Sequence, residues 1–122
     1  MLRIIALAIG ILFVFIGFAG FGPSFNPNGF LFNVLEVNFF HNLLYLVTGV
    51  LAIMSATRYP LAILYFQIVG VVYALLALLG FFMKGDLSFL FMRMNTADNI
   101  FHLIIAIIFI YLGFLRSRMR NI

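Results

Sequence analysis

The chain has 122 residues, 66% of them hydrophobic and only 8% charged, with a formal net charge of +4 and a mean hydropathy of +1.26. Soluble domains carry about 25% charged residues, and a fold this small has no interior that would hide so much apolar surface, so lipid must be its solvent. The lack of cysteine excludes disulfides, thiolate metal sites and a thiol nucleophile. The basic residues are not interleaved with exposed aromatics, so nucleic acid is not an expected partner.

An apolar run over residues 4–21, opened by Arg3, predicts the first membrane span. A signal peptide also opens on a basic residue. This run, however, is long for an h-region and is echoed later in the chain, so it is read as a retained span. Gly22-Pro23 and Asn26-Pro27-Asn28-Gly29 end the helix and open a loop. A second span is expected over 39–56 and a third over 61–82, joined by the tight Thr57-Arg58-Tyr59-Pro60 connection, in which Pro60 suits a helix start. Lys84-Gly85-Asp86 closes the third helix. Asn95-Thr96-Ala97-Asp98 then supplies capping chemistry for a fourth span over 100–115. Lys and Arg set the orientation. Arg3, Arg58, Arg116, Arg118 and Arg120 fall on one side, whereas Lys84 and Arg93 lie on the other with Glu36, Asp86 and Asp98. That bias predicts a multi-pass protein of the bacterial inner membrane with both termini cytoplasmic, its basic ends against anionic lipid.

The halves 1–57 and 58–122 read as copies of one another. IGILFVFIGFAGF at 9–21 aligns with VGVVYALLALLGF at 69–81, matching Gly10 with Gly70, Phe13 with Tyr73 and Gly20 with Gly80. FLF recurs at 30–32 and 89–91. HNLLYLVTG at 41–49 aligns with DNIFHLIIA at 98–106, pairing Asn42 with Asn99, Tyr45 with His102 and Gly49 with Ala106. Two spans per half make a parallel repeat about an axis along the membrane normal. The predicted fold is an all-α membrane protein, a single domain over 1–122. Its four transmembrane helices form two tandem hairpins, each with an aromatic outer loop at the interface or capping the bundle. Small residues mark the packing faces: Gly10 and Gly17 on the first helix, Thr48, Gly49, Ala52 and Ala56 on the second, Gly70 and Ala74 on the third. They serve packing within the bundle or, alternatively, an interface between copies.

Polar side chains gather at the starts of the second and fourth helices. His41 and Tyr45 are four residues apart, as are Asp98 and His102, so each pair shares a helix face. If the two helices meet at the pseudo-axis the four side chains converge, flanked by Asn38, Asn42, Asn95 and Asn99. Two histidines in a membrane bundle are able to hold haem b axially, although these two are offset by a turn. His41, His102, Asp98 and Glu36 have metal-ligand chemistry but no recognised metal-site spacing. Proton or ion passage lacks a relay, since Gln67 is the one strongly polar group in the inner half. The structural alternative is that Asn and Asp cap helix starts while the His–Asp pair locks two helices together. A lipid or small-ligand pocket is a further option. Gln67 is expected to bond helix to helix, and Tyr65 and Tyr73 to pack as ordinary aromatics.

No catalytic constellation is present. The expected function is therefore a non-enzymatic structural or accessory component that lives in the lipid bilayer and associates with itself or a larger membrane complex. The alternative is a redox or transport component binding haem, metal, quinone or lipid at the polar cluster. The stretches NLLYLVTG at 42–49, NIFHLIIA at 99–106 and VGVVYALLALLG at 69–80 resemble a bacterial family of small four-helix membrane proteins carrying a domain of unknown function. That family has N-x-x-H-L-x-x-G in each half. The resemblance spans roughly residues 9–115 and implies a fold and a membrane location, with no activity attached. The chain departs from the pattern at Tyr45, where histidine is expected, and at Ala106, where glycine is expected, so it lacks the symmetric histidine pair.

Overall fold

The computed structural model describes residues 1–21, 30–31, 35–36, 39–84, 86–87, 92–93 and 95–116. It is helical: α1 (Leu2–Phe21), α2 (Phe39–Ser55), α3 (Tyr59–Phe82) and α4 (Thr96–Ile110), with α4 running on into a π-helical segment, Tyr111–Arg116. α1, α3 and the continuous stretch Thr96–Arg116 are 20, 24 and 21 residues long, apolar and long enough to cross a membrane. α2 is apolar but shorter, at 17 residues. Several helices begin earlier than the apolar runs do. The first turns of α3 and α4 take in Tyr59-Pro60 and Thr96–Asn99, polar or ring-constrained residues that suit a helix start and that hydropathy alone leaves out.

The helix ends are chemically explicit. The Asn95 side-chain oxygen accepts from the Asp98 amide at 2.8 Å, and the Asp98 carboxylate accepts from the Asn95 amide at 3.0 Å, a complete capping box. Past α3, Lys84 turns the chain through φ 55°, the left-handed conformation in which a helix commonly stops. The α1–α2 and α3–α4 connections, both expected as loop, each carry a two-residue antiparallel ladder. β1 (Phe30–Leu31) pairs with β2 (Leu35–Glu36), and β3 (Asp86–Leu87) pairs with β4 (Met92–Arg93). Phe32 and the whole of the second FLF segment, 89–91, lie outside the described residues.

α1 packs antiparallel on α2, and α3 on α4 with its π extension; these are the two extensive helix pairs. The first is close enough that a Cβ on Gly10 would stand 2.8 Å from the Gly49 carbonyl oxygen, and one on Gly49 2.7 Å from that of Gly10. Only glycine at both positions lets the backbones approach so nearly. Gly17 lies against Leu46, and Gly70 against Phe109 and Ile110. Thr48 and Ala52 are buried, whereas Ala74 is partly buried against the core. All four helices meet on Phe13, whose ring touches Tyr45 of α2, Tyr73 of α3, and Phe101 and Phe109 of α4. Between the helix ends the outward faces are apolar, with Ile11, Phe18, Val50, Ile68, Leu78 and Ile107 exposed. In water such a surface would aggregate; in a bilayer it is the solvated one.

Candidate functional site

The polar residues of α2 lie on its buried side, a helical spacing of four and three bringing His41, Tyr45 and Thr48 onto one face. α4 presents Asp98, Asn99 and His102 in the same way. His41, Tyr45, Asp98 and His102 have no exposed surface at all, and Asn42 and Asn99 retain 3% and 5%. Across the gap the Nε2 atoms of His41 and His102 stand 3.3 Å apart, and the Tyr45 hydroxyl lies 3.1 Å from the same His102 nitrogen. The rings are correspondingly close: His41 to Tyr45 at 4.7 Å between centroids, His41 to His102 at 5.3 Å. Tyr73 of α3 covers the other side of His102, with 5.4 Å between centroids and 31° between planes. The Nδ1 atom of His102 is buried with no hydrogen-bond partner.

One turn along α2 a second group of hydrogen bonds ties in α3. The Thr48 hydroxyl donates to the Leu44 carbonyl at 2.8 Å, so the Tyr73 hydroxyl, 2.8 Å from Thr48 Oγ1, is the donor in that contact. The Tyr65 hydroxyl donates to the Thr48 carbonyl at 2.9 Å. Neither tyrosine is merely packed, contrary to the expectation from sequence. A lone hydroxyl within an apolar helix gives no sign of its partner 17 or 25 positions away. Gln67 donates to the Gly113 carbonyl at 3.0 Å and so bonds α3 to the π-helical segment.

The two asparagines occupy matching places. The Asn42 side-chain oxygen is pressed against Gly20, and that of Asn99 against Gly80; a Cβ on either glycine would collide with it. Neither amide oxygen has a hydrogen-bond partner. Asp98 is committed through one oxygen to its capping box, yet lies within electrostatic reach of Tyr45. The Glu36 side chain and Asn38 lie outside the described residues. Among the described residues no three His, Cys, Asp or Glu side chains group together as metal ligands. Lys84 shares a hollow with Gly80 and Asn99 at this end of the bundle, whereas the arginines expected at the membrane surface lie elsewhere. Exposed Arg3 donates through Nε to the Ala56 carbonyl at 2.7 Å, Arg58 and Arg116 are exposed, and Arg118 and Arg120 lie outside the described residues.

This geometry bears directly on what the layer can hold. Axial haem ligation needs two imidazole nitrogens on opposite faces of a porphyrin. Here they are 3.3 Å apart with a tyrosine hydroxyl at the same point, and no porphyrin enters without parting α2 from α4. A family profile described as a domain of unknown function, DUF4383, matches residues 3–115. No curated protein and no solved structure matches the chain.

Proposed function

The chain belongs to the DUF4383 family, and from its buried layer we propose that it is a non-enzymatic structural or accessory protein of the bacterial inner membrane. In this reading all of residues 1–122 form one domain, α2 crosses the bilayer with the other three helices, and both termini are cytoplasmic. The observation that carries it is the contact of His41 and Tyr45 with His102, side chains of two different helix pairs that have no exposed surface. Groups so enclosed are placed to join helices rather than to meet a diffusing substrate. A single shape, held from within, leaves the small and aromatic outer faces to associate with another copy or a larger membrane complex.

The matching environments of Asn42 on Gly20 and Asn99 on Gly80 support an origin by duplication. Tyr45 and His102 then occupy equivalent slots, and the two halves have diverged into partners that bond to one another.

The reading is tested with His102→Leu, which keeps the volume and removes the polar contact. The variant is expected to lose about 1–3 kcal/mol of stability in mild detergent, because the Tyr45 hydroxyl loses its bond to His102 and the His41 contact across the helix pairs goes with it. Two differently tagged copies expressed together are expected to co-purify as wild type and to lose that association in the variant. Unchanged thermal unfolding together with unchanged co-purification would overturn the proposal.

A further inference from the structure

We propose that the groove between α2 and α3 is a lipid site, which takes one acyl chain of an anionic phospholipid while Arg58 and Arg3 hold its phosphate at the α2–α3 turn. The inference does not depend on the clasp described above.

The groove follows from how the helices are paired. α2 turns Gly49 onto α1, and α3 turns Gly70 onto α4, so the close-packing faces of both are engaged elsewhere. Between them, on the lipid side, stand long side chains, Leu51 and Met54 of α2 and Leu64 and Ile68 of α3, each about half exposed. Buried Tyr65 lies at the base, fixed by its hydroxyl on the Thr48 carbonyl at 2.9 Å. What remains open is a cleft of about 510 Å³ with a mainly apolar lining, within the range of about 300–1,000 Å³ typical of ligand sites.

Length, shape and charge select the occupant. Along α3 the lining runs from Leu61 to Val69, eight residues or about 12 Å. One leaflet is about 15 Å deep, half of a hydrocarbon core of about 30 Å. A helix from a second copy packs best on small residues, whereas these walls are long and branched; a flexible acyl chain conforms to them. Apart from Tyr65, the polar lining groups lie at one end, where the Ser55 and Thr57 hydroxyls donate to the Ala52 and Met54 carbonyls at 2.8 Å. Two cations stand at that end. Arg58 follows Thr57 and is exposed. Arg3 is exposed and anchored through Nε to the Ala56 carbonyl at 2.7 Å, which leaves its terminal nitrogens for a phosphate. The three acidic side chains, Glu36, Asp86 and Asp98, belong to the opposite end, before α2, after α3 and at the start of α4. No acidic side chain therefore competes for the two guanidinium groups. A basic membrane face attracts anionic lipid only loosely; a groove nearly one leaflet deep that opens beside two arginines selects one molecule of it.

The chain has no tryptophan, so a single introduced one reports on the lipid beside it. Ile68→Trp places it on the groove wall and Ile11→Trp on the outward face of α1, both at exposed positions. The full chain is reconstituted in vesicles of mixed phosphatidylglycerol and phosphatidylcholine, with one or the other brominated on its acyl chains to quench the tryptophan. At Ile68→Trp, brominated phosphatidylglycerol is expected to quench as though its local share were raised about tenfold or more. At Ile11→Trp the quenching should follow its share of the bilayer. Adding Arg58→Gln is expected to cut the preference about fivefold, the effect of one basic residue at an anionic surface, and Arg3→Gln/Arg58→Gln to abolish it. Equal quenching by the two lipids at Ile68→Trp, an equal preference at Ile11→Trp, or a preference that Arg58→Gln leaves unchanged overturns the proposal. Quenching by neither lipid would mean that another protein chain covers the groove, which overturns it as well.

Discussion

At Gly20 and Gly80 a single missing carbon decides whether the helices close. Adding a Cβ at either position drives it into the amide oxygen of Asn42 or Asn99. Gly20→Ala and Gly80→Ala are each expected to cost about 1–3 kcal/mol, the usual penalty of overpacking. Trimming the facing amide in Gly20→Ala/Asn42→Ala should recover part of that loss, and thermal unfolding of the single and double variants checks both statements. Tyr73→Phe removes one hydroxyl, while Thr48 keeps its bond to Leu44; a loss of only about 0.6 kcal/mol is expected from the same measurement. Helical spacing was legible here, because His41 and Tyr45 must share a face whatever surrounds them. The partners were not legible. Asp98 divides its role between the cap and the buried layer, and nothing local distinguishes a tyrosine that bonds across the bundle from one that only fills space.

Elements were easier to read than their ends. Four apolar runs became four helices because a backbone in lipid must satisfy its own hydrogen bonds, and a helix does this within one segment. The Asn95–Asp98 box was visible as a sequence pattern, and Asn95→Ala should cost about 1 kcal/mol, seen as faster amide exchange in the first turn of α4. By contrast, the change from α to π geometry after Ile110 has no local signature in YLGFLR. There Gly113 sits against the Gln67 backbone and its carbonyl accepts from the Gln67 side chain, so the departure goes with a tertiary contact. The β1–β2 and β3–β4 ladders escaped for a similar reason: two-residue pairings are too short for alternation to show.

For the whole molecule, hydropathy identified lipid as the solvent, but it takes the aromatic contacts around Phe13 and the polar contacts of His41, Tyr45 and Thr48 to show how one helix pair sits on the other. The absence of cysteine makes orientation simple to measure. Thr57→Cys and Lys84→Cys place exposed thiols at opposite ends of α3. With the termini cytoplasmic, an impermeant maleimide should label Lys84→Cys from outside the inner membrane and Thr57→Cys only after that membrane is opened; the reverse pattern would invert the topology. The length of α2 has a mechanical consequence. Seventeen residues extend about 25 Å, against about 30 Å of hydrocarbon. If α2 spans the bilayer as proposed, the protein is mismatched to its membrane along one flank, where the bilayer thins or the helix end is drawn inward. His41 lies in the first turn of that helix, so in such a topology membrane thickness would act as a load on its contact with His102.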